Sequence, residues 1–130
     1  MKVGLIGTGA ISHKHAQAYK NIGFEIAAVY NRNADKGREF CAQYGGEYFS
    51  DWQSVCTHPR VDFIDVCTFP DIRWEPLQLA ADRGKHVQVQ KPIAIDVARA
   101  RRMVEYCAAK DVRLNVVSQG RFNDAMLFLK

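Results

Sequence analysis

The stretch KVGLIGTGAIS, residues 2–12, decides how the rest of the chain is read. Its first half, KVGLIG (2–7), is an apolar run with the length of a buried strand. AISHKHAQAYKNI (10–22) then carries helical spacing up to a stop at Gly23. Between them, Gly7, Gly9 and Ser12 fall on the three positions of a G-x-G-x-x-G turn. Glycine in the first position permits a tight turn out of the strand; in the second it lets a phosphate approach the backbone unobstructed. The helix opening through Thr8, Ala10 and Ile11 aims unpaired N–H groups and the positive end of its dipole at the same place. Ser12 stands where a third glycine would allow close helix–strand packing, and it is small enough for that purpose. Short glycine patterns arise by chance, but this one follows a strand and opens a helix within a strand–helix–strand unit of about thirty residues. That context points to a bound dinucleotide. S-adenosylmethionine stays open as an alternative, because its enzymes use a similar turn.

Strand and helix signals alternate along the remaining sequence. FEIAAVY (24–30) reads as the second strand, and Asn33 as the N-cap of a helix running through Tyr44 to Gly45 and Gly46. A short extended piece, Glu47 to Phe49, precedes one or two helical turns capped by Ser50 or Asp51. VDFIDVC (61–67) is the fourth strand, and a helix from about Glu75 to Asp82 ends at Gly84. KHVQV (85–89) is the fifth strand, Asp96 to Lys110 a long helix, and VRLNVV (112–117) the sixth strand. Parallel neighbours need crossover connections, and crossovers are right-handed. The pattern therefore predicts an α/β fold with a doubly wound parallel sheet, a Rossmann fold of strand order 3-2-1-4-5-6. Residues 1–121 make up this domain. From Phe122 to Lys130 (FNDAMLFLK) the spacing predicts the opening of a further amphipathic helix, the start of a truncated second domain over 122–130.

Bulk properties narrow the function classes. With 130 residues, the chain has the length of one domain. Such a domain hides roughly two-thirds of its unfolded surface and needs no staples. A hydrophobic share of 48% and a charged share of 25% are ordinary for a globular protein. The net charge of +4 is mild and is accounted for by a solvated basic surface. Arg99, Arg101 and Arg102 are spread around a helix without interleaved aromatics, so no nucleic-acid partner is expected. Cys41, Cys56, Cys67 and Cys107 stand far apart with no C-x-x-C pair, which is neither a zinc pattern nor a dense disulfide framework. The reading expects no metal and a reduced, cytoplasmic setting. MKVGLIG lacks the long apolar run of a signal peptide, and no stretch has the length to span a bilayer, so no membrane partner is expected.

The end of the second strand bears on which ribose is recognised. An acidic side chain there accepts hydrogen bonds from both ribose hydroxyls and repels a 2′-phosphate. Here Tyr30-Asn31-Arg32-Asn33 offers no acid, and the planar fork of Arg32 can pair with a phosphate. NADP is therefore expected at least as readily as NAD.

A second anchor follows the fifth strand. Gln90-Lys91-Pro92 precedes a helix, which puts Lys91 at the carboxyl end of the sheet, where such folds bind ligands. With GTGAIS (7–12), DVCTFP (65–70) and Gly84-Lys85-His86-Val87, it strongly resembles the glucose–fructose oxidoreductase, inositol dehydrogenase and rhizopine-catabolism (Gfo/Idh/MocA) family, over Met1 to about Phe122. The resemblance implies that Thr68 and Pro70 line the cofactor cleft. Lys91 would lie by the nicotinamide and the reacting hydroxyl as the catalytic residue on this side, and Gln119 would approach the nicotinamide end. It marks the Lys91–Pro92 bond as a candidate for the cis form, kept only where geometry demands it. A lysine in a partly closed cleft can join acid–base work, because desolvation disfavours its charge. The resemblance further implies a sugar, inositol or related polyol as substrate. It also implies a second domain that carries a catalytic histidine and the interface of a homo-oligomer. On that account the 130-residue chain binds dinucleotide with little turnover.

Departures from the family pattern mark where specificity lies. Gln90 replaces a usual glutamate, and Arg73 stands where histidine is common; with Asp71 and Trp74 it is expected to line the region a substrate approaches. His13 and His15, on the first helix, are candidate acids or ligands, and His15 is read as packing or capping locally. Two other classes compete: a dinucleotide-binding sensor or subunit without chemistry, and a methyltransferase. A sensor has no need of Lys91, and a methyltransferase no reason for Gln90-Lys91-Pro92.

Overall fold

A computed structural model describes residues 1–122. The helix expected from Phe122 onward therefore lies outside the described residues, apart from Phe122 itself, which closes a 3-10 turn over Gln119–Phe122. The elements are β1 (Lys2–Ile6), α1 (Ala10–Asn21), β2 (Glu25–Tyr30), α2 (Ala34–Tyr44), β3 (Glu47–Phe49), α3 (Trp52–Thr57), β4 (Phe63–Val66), α4 (Trp74–Asp82), β5 (His86–Gln90), α5 (Val97–Ala109) and β6 (Leu114–Val117). All six strands are parallel in the order β3-β2-β1-β4-β5-β6, as the alternation requires.

Local chemistry sets the boundaries. Asn33 caps α2 by accepting from the Lys36 N–H at 3.0 Å, and Asp96 caps α5 by accepting from Arg99 at 2.7 Å. Of the two candidates for the start of α3, Asp51 is the cap, accepting from the Ser54 N–H at 2.7 Å. Between β4 and α4 lies a 3-10 turn, Pro70–Ile72, which periodicity does not reveal because it is shorter than one period.

Each face of the sheet has its own core. One combines Ile6, Ile64, Val66, Val87 and Val89 with Val55, Leu77, Met103 and Cys107 from α3, α4 and α5. The other packs Val3, Leu5, Val29 and Phe63 against Ala16, Tyr19 and Phe40 of α1 and α2. Gly4 lets α3 approach β1: a Cβ there would lie 2.8 Å from Ile64 and 2.9 Å from Val55. Lys85 is buried just before β5, where its ammonium donates to the carbonyls of His58 (2.8 Å) and Val61 (2.6 Å) and ties down the turn before β4.

Candidate functional site

The ends of β1, β2, β4, β5 and β6 open onto one cleft of about 690 Å³ at the carboxyl edge of the sheet. Of the residues singled out by sequence, Gly7, Thr8, Gly9, Ile11, Asn31, Arg32, Thr68, Pro70, Gln90, Lys91 and Gln119 line it. Ala10, exposed at the start of α1, is not among its lining residues. Tyr30, Cys67, Phe69, Ile72 and Pro92 complete the walls with Arg73.

The turn after β1 is held from both sides. Gly7 has φ +95°, and a Cβ there would sit 3.3 Å from the Cys67 carbonyl, so two constraints require glycine. Its N–H donates to the Tyr30 carbonyl at 2.8 Å. The Ser12 hydroxyl, fully buried, donates to the Gly7 carbonyl at 2.6 Å. Ser12 thus pins the turn to the helix, beyond the close packing expected of it. Gly9 differs: it has an ordinary φ of −77°, and a Cβ there would meet nothing within 4 Å. No interior contact demands glycine at this position. It keeps the way open from the cleft to the start of α1, which has neither a side-chain cap nor an acidic residue in its first turn. Beside it the Thr8 hydroxyl is buried and has no hydrogen-bond partner among the described residues. An open helix start, an unobstructed glycine and an orphaned donor fit an anionic, phosphate-bearing group.

At the tip of β2, Asn31 is half-buried and Arg32 exposed, both on the cleft, with no carboxylate between them. On the opposite wall the Lys91–Pro92 bond is cis. Lys91 is exposed rather than enclosed, because on this side the cleft is open to solvent.

Arg73 is not available to a substrate. It is 2% exposed, and its guanidinium donates to the Thr68 carbonyl (3.0 Å from Nε, 2.6 Å from Nη2) and to the carbonyls of Gln90 and Pro92. Burial lowers its pKa, with Cys67 and Asp65 acting in the opposite direction. Its fork clamps the loop after β4 to the turn after β5, which positions both walls. Trp74 also turns away from the expected role, its ring packing on Tyr106 under the Arg102 guanidinium 3.8 Å from its centroid. Asp71 is exposed on the 3-10 turn. His13 is packed locally, edge-on to Phe40 and Tyr44 with Nδ1 3.2 Å from the Tyr44 hydroxyl.

His15 is more than a packing residue. It is buried beneath the cleft with Nδ1 2.8 Å from Asp65 Oδ2 and Nε2 3.1 Å from Gln90 Nε2. Tyr19, one helical turn on, donates to the same Asp65 oxygen and accepts from Gln88. Burial, reinforced by Asp65, raises the Tyr19 pKa, so its hydroxyl keeps its proton. Sequence reading missed this group, although HVQVQ (86–90) places polar side chains at alternate positions of a strand and His15 and Tyr19 share a helix face. His15, Asp65 and Cys67 bring possible metal ligands within 4.8 Å of one another. The first two are already paired, however, and burial with the neighbouring Asp65 pushes the Cys67 thiol well up, away from the thiolate a metal needs.

Among the described residues no helix is long and apolar enough to cross a membrane. The chain is 30% identical over 99% of its length to 4-carboxy-2-hydroxymuconate-6-semialdehyde dehydrogenase of Sphingobium sp., 32% over 96% to D-apiose dehydrogenase of Paraburkholderia graminis, and 31% over 95% to myo-inositol 2-dehydrogenase of Thermotoga maritima. It spans 42%, 34% and 37% of the length of these curated relatives. Among solved structures, the WlbA dehydrogenase from Bordetella pertussis in complex with NADH and UDP-GlcNAcA superposes with a TM-score of 0.93 at 27% identity, covering 99% of this chain and 41% of that one. The myo-inositol dehydrogenase from Lactobacillus casei in complex with NAD(H) and myo-inositol gives 0.89 at 25%, covering 99% and 40%. The sequence profile of an oxidoreductase family with an NAD-binding Rossmann fold, GFO_IDH_MocA, matches residues 1–118, and the chain belongs to that family.

Proposed function

We propose that residues 1–121 hold NADP, or NAD less tightly, for an oxidoreductase that moves hydride between the nicotinamide and a carbinol carbon of a sugar, inositol or related polyol. The observation that carries this reading is the open approach over Gly9 to the uncapped start of α1, with the orphaned Thr8 hydroxyl beside it and Lys91 across the same cleft. Thr8, Gly9, Ala10 and Ile11 would receive the pyrophosphate through backbone N–H groups, with Gly7, whose own N–H is held by Tyr30, shaping the turn beneath it. Asn31 would hold the adenosine ribose, and Arg32 would pair with a 2′-phosphate. Thr68 and Pro70, with Gln90 and Gln119, would border the nicotinamide end. When bound, the nicotinamide supplies the hydride donor or acceptor. Lys91 would donate a hydrogen bond to the reacting oxygen from this side of the cleft and assist proton movement there.

Relatives that act on apiose and on inositol support the substrate class. Because the chain spans only 34–42% of the length of such relatives, we expect it to bind dinucleotide by itself with little turnover. Its four free cysteines suit the cytoplasm, and a homo-oligomer is the assembly we expect of the complete protein. Calorimetric titration with NADP, NAD and S-adenosylmethionine tests the reading. Tighter binding of NADP than of NAD, and no binding of S-adenosylmethionine, is expected; equal or tighter NAD binding removes the preference, and binding of S-adenosylmethionine alone overturns the reading.

A further inference from the structure

The polar residues beneath the cleft form a line of hydrogen bonds whose direction fixes a protonation state. A backbone N–H only donates, so the Gln90 atom 2.8 Å from Lys91 N is the carbonyl oxygen Oε1. The other end of that amide, Nε2, then faces His15 Nε2 at 3.1 Å. An amide NH₂ donates and does not accept, so this ring nitrogen carries no proton. The ring proton sits on Nδ1, where it donates to Asp65 Oδ2 at 2.8 Å. The same oxygen takes the Tyr19 hydroxyl proton, Tyr19 accepts from Gln88, and Gln88 Oε1 accepts from Asn115 Nδ2 at 2.8 Å. Turning the Gln90 amide over would set a donor against the Lys91 N–H and an acceptor against His15.

We propose that Gln90, His15, Asp65 and Tyr19 form a positioning relay in which His15 is locked as the neutral Nδ1–H tautomer and ties the Lys91 backbone to α1. The two ends of the relay are the two halves of the site. Helix α1 grows out of the glycine turn, and β5 runs through Gln90 directly into Lys91. A strut between them sets how far the lysine stands from the phosphate-binding turn. Gln90 is the residue that specifies the tautomer: a glutamate there would present acceptors to both Lys91 N–H and His15 Nε2, which only a doubly protonated ring satisfies. The inference rests on the functional reading above, because holding Lys91 in place matters to a reaction only if a nicotinamide binds beside it.

The test is a long-range ¹H–¹⁵N correlation spectrum of the labelled 130-residue chain at neutral pH with no dinucleotide present. Among its four histidines, His15 is identified by through-space contact with the Tyr19 ring, whose centroid lies 6.3 Å away. A protonated Nδ1 and a bare Nε2 are expected. The reverse tautomer, or a doubly protonated ring, overturns the relay. Gln90→Glu is expected to move the Nε2 resonance to the protonated range, and an unchanged ring overturns the assignment of Gln90. Tyr19→Phe, which keeps the ring and removes only the far hydroxyl, is expected to shift both His15 Nδ1 and the Lys91 amide; an unmoved Lys91 amide overturns the coupling. A chain that shows the expected tautomer yet binds neither NADP nor NAD overturns the functional reading instead.

Discussion

A Cβ at Gly9 would meet no atom within 4 Å, whereas one at Gly7 would press on the Cys67 backbone from a left-handed conformation. The two substitutions should therefore separate binding from stability. Gly9→Ala is expected to melt within about 1 kcal/mol of the parent chain, the scale of an N-cap change. It should bind NADP at least about tenfold more weakly, roughly 1.4 kcal/mol. Gly7→Ala is expected to lose about 1–3 kcal/mol of stability from backbone strain. Thermal melts and calorimetry on both variants check this, and undiminished binding by Gly9→Ala would remove the phosphates from the turn. Arg73 yields a second contrast at the same scale. Arg73→Met leaves the carbonyls of Thr68, Gln90 and Pro92 without their donor, which is expected to cost about 1–3 kcal/mol in urea denaturation. Arg73→Lys should recover only part of that, since a compact ammonium cannot span two loops as the planar fork does.

The second half of the sheet is covered by α4 and α5, and their contact carries a pH signature. The Asp82 carboxylate accepts from Lys110 Nζ at 2.6 Å and from the Tyr106 hydroxyl at 2.8 Å, joining the end of α4 to the end of α5. Those hydrogen bonds, Lys110's first, hold the Asp82 carboxyl below the usual carboxylate range, and Asp82 in turn holds the Lys110 ammonium above the usual lysine range. A depressed acid contributes above its unfolded pKa and is lost as pH falls through its folded one; a raised base is the mirror case. The difference in melting temperature between the parent chain and Asp82→Asn should thus be constant from above the carboxylate range to below the lysine range. It should vanish in acid, fall in alkali as Lys110 loses its proton, and shrink with added salt because the pair is exposed. A difference that persists in acid would assign the tie to packing alone. Helices and strands of this kind were legible in the sequence because periodicity, caps and glycine stops are local. The Asn33 cap and the strand order follow from them directly, whereas Asp96, read as the first residue of the long helix, is its cap. Asp65 was read only within the fourth strand and the DVCTFP stretch, with no partner, because His15 and Tyr19 lie 50 and 46 residues away and meet it only once α1 is laid on the sheet. The clamping role of Arg73 was missed for the same reason: two of its acceptors, the carbonyls of Gln90 and Pro92, lie 17 and 19 residues further on.

For the molecule as a whole, the cleft draws its walls from the ends of five strands that are far apart in sequence, from Gly7 to Gln119. That dispersal was legible, since the sequence singled out all but one of its proposed cofactor contacts among residues that now share the cleft. It also makes ligand binding and global folding one equilibrium, because no single loop retains the site once the sheet is lost. A ligand that binds only the folded chain stabilises it by about 2.7 kcal/mol at a hundred times its dissociation constant. NADP at that ratio is expected to raise the melting temperature of the entire chain in one cooperative transition, and S-adenosylmethionine to leave it unchanged. Arg32 supplies the control. It is exposed at the tip of β2 with no acid beside it, so Arg32→Ser should not alter the melt of the free chain. With NADP the variant should lose most of the added stability, because the 2′-phosphate loses a charge-assisted pair. With NAD it should lose little. If NADP and NAD stabilise the parent chain equally and Arg32→Ser affects neither, the tip of β2 does not read the phosphate and the preference for NADP falls, while the dinucleotide site itself stands.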